Sequence, residues 1–122
     1  MARILFIDDS ADARAIGRAT FRSTGHEVTE ATNGVEGMRL YRERPFDLVV
    51  TDIFMPEKDG LQTIQELRHE FGDVRIIAIS GGSVETPGDY LPLAKRLGAN
   101  EVFHKPINVG ALREAAERVL KE

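Results

Sequence analysis

Residues 49–60 read VVTDIFMPEKDG, in which a run of apolar, β-branched residues stops abruptly at Asp52. The run is typical of a buried strand, and Met55-Pro56 predicts that the chain then turns away. Asp59 before Gly60 predicts the start of a helix, because aspartate is a favoured N-cap. An unpaired buried carboxylate is costly, so Asp52 either belongs to a turn or takes part in a site at the end of the strand.

The same order of strand and helix recurs along the chain. Apolar runs rich in β-branched residues predict five strands, and the segments between them have the periodicity of amphipathic helices. HEVTEA alternates between apolar and polar residues, which indicates a strand near an edge of the sheet, whereas the other four are predicted to be buried. The predicted strands are RILFI (3–7), HEVTEA (26–31), FDLVVT (46–51), VRIIAIS (74–80) and NEVFH (100–104).

The intervening helices have recognisable ends. Asn33, three residues before Glu36, predicts the N-cap of the second helix, and Asn108 predicts that of the last. Gly72 and Gly98 predict the ends of the third and fourth helices. The residues predicted to face the core are Ile16, Thr20 and Phe21 in the first helix (10–24), Val35, Met38 and Tyr41 in the second, Leu61, Ile64, Leu67 and Phe71 in the third, Tyr90, Leu91, Ala94 and Leu97 in the fourth (88–97), and Val109, Leu112, Ala116 and Val119 in the fifth.

Five repeats of strand and helix predict an α/β fold of the (βα)5 type. Its sheet is expected to be parallel, five-stranded and doubly wound, with helices on both faces and right-handed crossovers. The 122 residues suit a single domain, residues 1–122, and we expect no output domain because the chain ends with its last helix.

The composition narrows the class of function. A net charge of −4 and a pI near 5.4 argue against a nucleic-acid partner, which would favour a basic stripe. The absence of cysteine excludes disulfides and thiolate metal sites. No apolar run approaches the roughly 18 residues of a membrane span, and the short apolar stretch after Met1 is not a signal peptide. A cytoplasmic location without a membrane partner is therefore expected.

Polar side chains stand where the predicted strands end. Ligands of open α/β sheets bind outside the carboxyl ends of the strands, so these side chains are the candidates for a site. Three carboxylates, one hydroxyl and one lysine converge there. They are Asp8 and Asp9 after the first strand, Asp52 after the third, Ser80 at the end of the fourth and Lys105 after the fifth.

These residue types suit phosphoryl chemistry assisted by a cation. Clustered carboxylates raise one another's pKa values unless a cation joins them, and Mg²⁺ prefers such oxygen ligands. A carboxylate can act as a nucleophile and form an aspartyl phosphate. Lysine and metal can neutralise the charge of the transferred group, and the Ser80 hydroxyl can donate to a phosphoryl oxygen.

Four motifs carry a resemblance to a known family. They are IDDS (7–10), TD-x-x-MP-x-x-DG (51–60), AIS (78–80) and KP (105–106). Each is weak alone, but together, in this order and at this spacing, they are specific and span nearly the whole chain. The sequence resembles the receiver domain of bacterial two-component response regulators, which has the flavodoxin-like fold of the chemotaxis regulators. That resemblance implies the strand order 2-1-3-4-5.

The resemblance also implies roles for the acidic residues. Asp52 would be phosphorylated by a phosphohistidine of a sensor histidine kinase or phosphotransfer protein. Asp9 and Asp52 would bind Mg²⁺, or another divalent cation such as Mn²⁺, directly. The backbone carbonyl of Phe54 would be a third ligand, and Asp8 would act through a bound water molecule.

The resemblance implies a switching role for the remaining candidates. Lys105, before a cis Lys105–Pro106 bond, would pair with the phosphoryl group, and Ser80 would move towards it. The surface of the fourth helix, fifth strand and fifth helix would then bind a downstream protein. The resemblance further implies a monomer or weak dimer that is not an enzyme, because it would assist only its own phosphorylation and dephosphorylation.

Two positions depart from the family pattern. Val102 stands where the family often has an aromatic switch residue, and alternation along the strand predicts that Phe103 faces the other way. The loop GGSVETPGD (81–89) is long, so the fourth helix is expected to start late or to be mobile.

The sequence bears on three alternative functions. A Mg²⁺-dependent phosphohydrolase with an aspartyl nucleophile needs a second acid two residues after Asp52, where Phe54 stands. A flavin-binding protein needs a phosphate loop where this chain has the acidic DDSAD (8–12). A receiver that docks without phosphorylation remains open because of Val102. His26, His69 and His104 have no metal-ligand spacing and are predicted to be surface or packing residues.

Overall fold

A computed structural model describes residues 1–55, 58–80 and 91–122, and for Leu91 only the backbone. Within these residues strands and helices alternate as predicted. The elements are β1 (Arg3–Ile7), α1 (Ala11–Arg22), β2 (Glu27–Ala31), α2 (Gly34–Glu43), β3 (Leu48–Asp52), α3 (Gly60–Phe71), β4 (Ile76–Ser80), α4 (Leu91–Leu97), β5 (Glu101–His104) and α5 (Val109–Leu120). The long loop 81–89, the predicted start of the fourth helix at residue 88, and the side chains of Tyr90 and Leu91, which were predicted to face the core, lie outside the described residues.

The strands form one parallel sheet in the order β2-β1-β3-β4-β5. Both the parallel arrangement and the strand order are therefore confirmed. The register brings the strand ends level, because Ile7 pairs with Thr51, Asp52 with Ile79 and Ser80 with His104. The segments that follow these strands consequently meet at one edge of the sheet.

One of the two edge strands is less buried than the sequence predicted. β2 lies at an edge and is mostly half-exposed, as its alternating sequence predicted. β5 was predicted to be buried, but it forms the opposite edge, and His104 is exposed. The prediction was wrong because a short apolar run does not reveal how many strands flank it, and β5 has a neighbour on one side only.

Two hydrophobic cores cover the two faces of the sheet. Alternate side chains of a strand point to opposite faces, so Leu5 and Ile7 pack with α2, α3 and α4, while Ile4 and Phe6 pack with α1 and α5. This arrangement confirms the doubly wound architecture.

Helix N-termini follow the predicted caps. The side chains of Asn33, Asp59 and Asn108 each accept a hydrogen bond from the backbone N–H three residues later, at 2.9 Å. Such a bond satisfies one of the otherwise unpaired N–H groups in the first turn of a helix. The helices therefore begin at defined residues close to the carboxyl edge of the sheet.

Three predicted core residues lie on the surface. Ile16 is 38% exposed and Val35 is 53% exposed, although their helices bury Phe21, Met38 and Tyr41 as predicted. Phe71 is also 37% exposed, although its ring meets that of Tyr41 edge-on.

Two glycines explain why α1 and α2 turn a different face towards the sheet from the one that was predicted. A Cβ at Gly17 would lie 2.8 Å from the Phe6 ring, and one at Gly37 would lie 2.5 Å from Ile7 Cδ1. Both helices thus contact the sheet through a glycine, which an apolar periodicity does not count.

Candidate functional site

Asp8 is fixed at the end of β1. Its N–H donates to the carbonyl of Ala31 at 3.1 Å, and its Oδ1 accepts from the Ser10 N–H at 2.9 Å. The residue is 1% exposed. Ser10 is the N-cap of α1, with its side chain accepting from Ala13 N–H. Asp8 is therefore not the cap of this helix, and its carboxylate remains available to the site.

Asp52 ends β3 and is only 5% exposed. The following residue continues the sheet, since Ile53 N–H donates to the Ile79 carbonyl at 3.0 Å. The chain then returns, and Gly60 N–H donates to the Ile53 carbonyl at 2.8 Å. The first residue of α3 therefore contacts the backbone beside Asp52. Sequence reasoning recognised Gly60 only as a helix start and missed this contact.

Lys105 connects two of the carboxylates. Its backbone N–H donates to the Ser80 carbonyl at 2.8 Å, and the Lys105–Pro106 bond is cis, as predicted. Its Nζ lies 3.0 Å from Asp8 Oδ2 and 3.5 Å from Asp52 Oδ2. The shorter distance is to Asp8, which the sequence did not indicate. Ser80 is buried at the end of β4, beside this segment.

The three acidic residues form one cluster. Asp8, Asp9 and Asp52 each offer a carboxylate oxygen, and these oxygens lie within 4.8 Å of one another. Asp9 is exposed, whereas the other two are buried. Asp52 Oδ1 is buried and has no hydrogen-bond partner among the described residues. An unpaired buried carboxylate oxygen next to two further carboxylates fits a hard divalent cation, which takes oxygen ligands.

The cluster changes the protonation of its members. The pKa of Asp52 is raised from an ordinary value near 3.8 to about 6, chiefly by burial and further by the charges of Asp8 and Asp9, with Lys105 partly offsetting them. Burial alone would lower the pKa of Lys105, but Asp52 and Asp8 outweigh it, so that this pKa is raised. Lys105 is therefore charged at neutral pH, and a cation in the cluster would favour the ionised form of Asp52.

Phe54, Val102 and Phe103 pack on defined faces of the sheet. Phe54 is half-buried and packs against the core on the α2, α3 and α4 face, as does Val102. Phe103 packs against the opposite core, which confirms that it faces away from Val102.

The three histidines lie apart from the acidic cluster or on the surface. His26 Nδ1 accepts from the Ala2 N–H at 2.9 Å, and its Nε2 lies 2.8 Å from Glu117 Oε1. His69 and His104 are exposed. These positions agree with their predicted roles as surface or packing residues.

Comparison with known proteins identifies the family. The model of the response regulator receiver domain family matches residues 4–117. The chain therefore belongs to the response regulator receiver domain family. The residues that the family model matches include the acidic cluster and Lys105.

Individual relatives agree in sequence and fold. The chain is 33% identical over 119 residues to chemotaxis protein CheY of Bacillus subtilis, covering 97% of each chain. It is 33% identical over 119 residues to the probable C4-dicarboxylate response regulator DctR of the same organism, covering 95% of this chain and 51% of that one. A crystal structure of a response regulator receiver domain protein from Clostridium thermocellum is similar at a TM-score of 0.89 and 28% identity, covering 99% of this chain and 95% of that one.

The coverage differs among relatives. The chain spans about half the length of DctR but nearly all of CheY. Among the described residues, no helix is both long and apolar enough to cross a lipid bilayer.

Proposed function

We propose that Asp52 accepts a phosphoryl group from a phosphohistidine of a sensor histidine kinase or phosphotransfer protein. The observation that carries this proposal is the buried, unpaired Oδ1 of Asp52 beside two further carboxylates and Lys105. In the transfer, an Asp52 oxygen bonds to phosphorus while the phosphorus–nitrogen bond of the donor breaks. The histidine nitrogen keeps that electron pair, so a ring that is protonated on its other nitrogen leaves as neutral imidazole, and an unprotonated ring takes up one proton from water.

A divalent cation, Mg²⁺ or Mn²⁺, fits the acidic cluster. In this proposal Asp9 and Asp52 bind it directly, the Phe54 carbonyl is a third ligand, and Asp8 acts through water. The cation supplies charge neutralisation for the incoming phosphoryl group. Asp8, which is fixed by Ser10 and Ala31, keeps its carboxylate directed towards the cluster.

Lys105 and Ser80 have supporting roles. Lys105 Nζ lies within reach of Asp52 Oδ2 and would pair with a phosphoryl oxygen. The Ser80 hydroxyl, at the adjacent strand end, would donate to another. Their movement would alter the surface of α4, β5 and α5, which we propose as the surface that binds a downstream protein. In this proposal the protein is a signalling phosphoacceptor rather than an enzyme.

The test is labelling of the purified protein. We expect a Mg²⁺-dependent phosphoryl adduct with acetyl phosphate, and faster labelling by a phosphorylated cognate kinase. Asp52→Asn should abolish the adduct, whereas Asp73→Asn, at the opposite end of the sheet and exposed, should not. The mass of the intact protein reports the adduct. Absence of labelling at saturating donor and Mg²⁺ would refute the proposal.

One observation favours a second candidate function. Val102 replaces the aromatic switch residue that the family often has, which leaves open a docking protein that works without phosphorylation. Partner capture distinguishes the two. Wild type and Asp52→Asn would bind the partner equally if docking were independent of phosphorylation, whereas the phosphoacceptor function predicts that phosphorylation changes the affinity of the wild type alone.

A further inference from the structure

Arg14 contacts the backbone of the acidic pair from helix α1. One of its terminal nitrogens, Nη1, donates to the carbonyl oxygen of Asp8 at 2.7 Å. Its Nε lies 3.5 Å from Glu30 Oε1 on β2, and its side chain is only 18% exposed. The guanidinium thus links α1 both to the end of β1 and to β2. Sequence reasoning did not single out this residue.

The Asp8 carbonyl belongs to the peptide unit that joins Asp8 to Asp9. The N–H of Asp8 is bonded to Ala31, so Asp8 is held by the neighbouring strand on one side and by Arg14 on the other. Because a peptide unit is planar, fixing its carbonyl also fixes the direction of the next N–Cα bond. The orientation of that plane therefore sets the position of the Asp9 Cα, from which the exposed carboxylate extends.

We propose that Arg14 is a positioning residue for the divalent cation. By holding the Asp8–Asp9 peptide, it keeps the Asp9 carboxylate directed at Asp52. This inference rests on the proposed function of the acidic cluster, and it concerns how the cluster is held rather than which residues bind the cation.

The charge of Arg14 and its hydrogen bond to the Asp8 carbonyl predict opposite changes in Mg²⁺ affinity when Arg14 is replaced. Arg14 is a cation close to a cation site, so the loss of its charge alone would tighten Mg²⁺ binding. Loss of the hydrogen bond would instead let the peptide rotate and weaken Mg²⁺ binding, by about two- to tenfold, which is the effect of one ordinary hydrogen bond. The sign of the change therefore separates a positioning role from simple electrostatics.

Arg18 provides a matched control on the same helix. Its Nη1 lies 2.5 Å from the same Glu30 Oε1, so both arginines pair with one carboxylate. Only for Arg14 does the structure give a hydrogen bond to the Asp8 carbonyl. Arg18→Gln thus removes the same positive charge, and a contact to the same Glu30 carboxylate, without changing a contact to the acidic pair.

The experiment measures Mg²⁺ affinity by titration calorimetry for the wild type, Arg14→Gln, Arg14→Lys and Arg18→Gln, at a temperature at which each is folded. We expect Arg14→Gln to weaken Mg²⁺ binding by about two- to tenfold, Arg14→Lys to lie between it and the wild type, and Arg18→Gln to leave the affinity unchanged or slightly tighter. Acetyl phosphate labelling at saturating Mg²⁺ should then be nearly equal in all four proteins.

Each outcome has a distinct meaning. Unchanged or tighter Mg²⁺ binding by Arg14→Gln, or an equal loss in Arg18→Gln, would overturn the positioning role and leave the proposed function standing. A wild type that binds no Mg²⁺ and accepts no phosphoryl group would overturn the proposed function itself, and this inference with it. If Arg14→Gln does not fold, wild-type affinity in Arg14→Lys would overturn the inference, because an ammonium cannot contact both Glu30 and Asp8 as the planar fork does.

Discussion

Gly60 packs directly on the carbonyl of Asp52, so closely that a Cβ at this position would lie 2.1 Å from that oxygen. The contact joins the first turn of α3 to the end of β3. A larger residue would have to displace either the helix or the strand end that carries the proposed phosphoacceptor.

The first prediction follows from this contact. Gly60→Ala should lower the free energy of unfolding by about 1–3 kcal/mol, as overpacking against rigid backbone does, and should slow labelling of Asp52. Gly110→Ala is the control, since among the described residues its Cβ would meet only Asn108 Oδ1, at 3.5 Å. That change should be neutral or stabilise α5, because alanine favours helices. Denaturant unfolding checks both, and equal stabilities would contradict the prediction.

The second prediction concerns pH. The pKa of Asp52 is raised to about 6 from an ordinary value near 3.8, chiefly by burial. The folded chain thus binds this proton more tightly than the unfolded chain, so the resulting stabilisation is complete below about pH 4 and is lost as the pH rises through about 6. Without a cation, ionised Asp52 therefore costs roughly 2–3 kcal/mol at neutral pH.

Asp52→Asn isolates this effect. The variant should be more stable than the wild type near neutral pH, and the difference should vanish towards about pH 4. Saturating Mg²⁺ should reduce the difference, because the cation favours the ionised carboxylate. Denaturant unfolding across this pH range measures it. A difference that does not depend on pH would show that burial of the charge is not the cause.

The third prediction concerns Lys105. Lys105→Met removes the ammonium that lies near Asp8 and Asp52 and leaves two buried carboxylates without it. Breaking a buried pair costs about 3–5 kcal/mol, but the lysine side chain is 26% exposed, so we expect a smaller loss of about 1–3 kcal/mol at neutral pH. Saturating Mg²⁺ should restore part of that loss.

Lys121→Met, at the exposed end of α5, is the control and should change little. Thermal unfolding with and without Mg²⁺ provides the comparison. Equal responses of the two variants to Mg²⁺ would show that Lys105 does not share charge with the acidic cluster.

The fourth prediction concerns Phe54, which follows Asp52 by two residues and is half-buried. If its ring limits the access of water to the phosphoryl group, Phe54→Asn should shorten the lifetime of the phosphorylated protein severalfold, while Phe54→Leu should change it less. Decay of the phosphorylated species after removal of the donor measures this lifetime. Identical decay in all three proteins would exclude such shielding.

The sequence predicted most of the fold because strand and helix alternate cleanly and because the caps are polar side chains at regular positions. The faces of α1 and α2 were less predictable. Periodicity favours large apolar residues, so Ile16 and Val35 were expected inside, whereas Gly17 and Gly37 make the closest contacts with the sheet. A glycine at a close approach has no side chain that an apolar pattern could register.

The site residues were placed at one edge by topology alone, but their partners were not. The proximity of Lys105 to Asp8 and the bond from Arg14 to the Asp8 carbonyl depend on distances between helices and strands. Such distances follow from tertiary packing, so spacing along the chain contains no information on them. The roles of the site residues stay predictions for the experiments above.

The acidic cluster is assembled from segments far apart in the chain, so it exists only when the chain is folded. A cation that binds the folded form alone adds to the free energy of unfolding by linkage, about 2.7 kcal/mol at a hundredfold excess over its Kd. The chain contains no tryptophan, which removes the usual intrinsic fluorophore for ion titrations. Its melting temperature can therefore be used to measure cation binding, with Asp9 and Asp52 variants as negative controls.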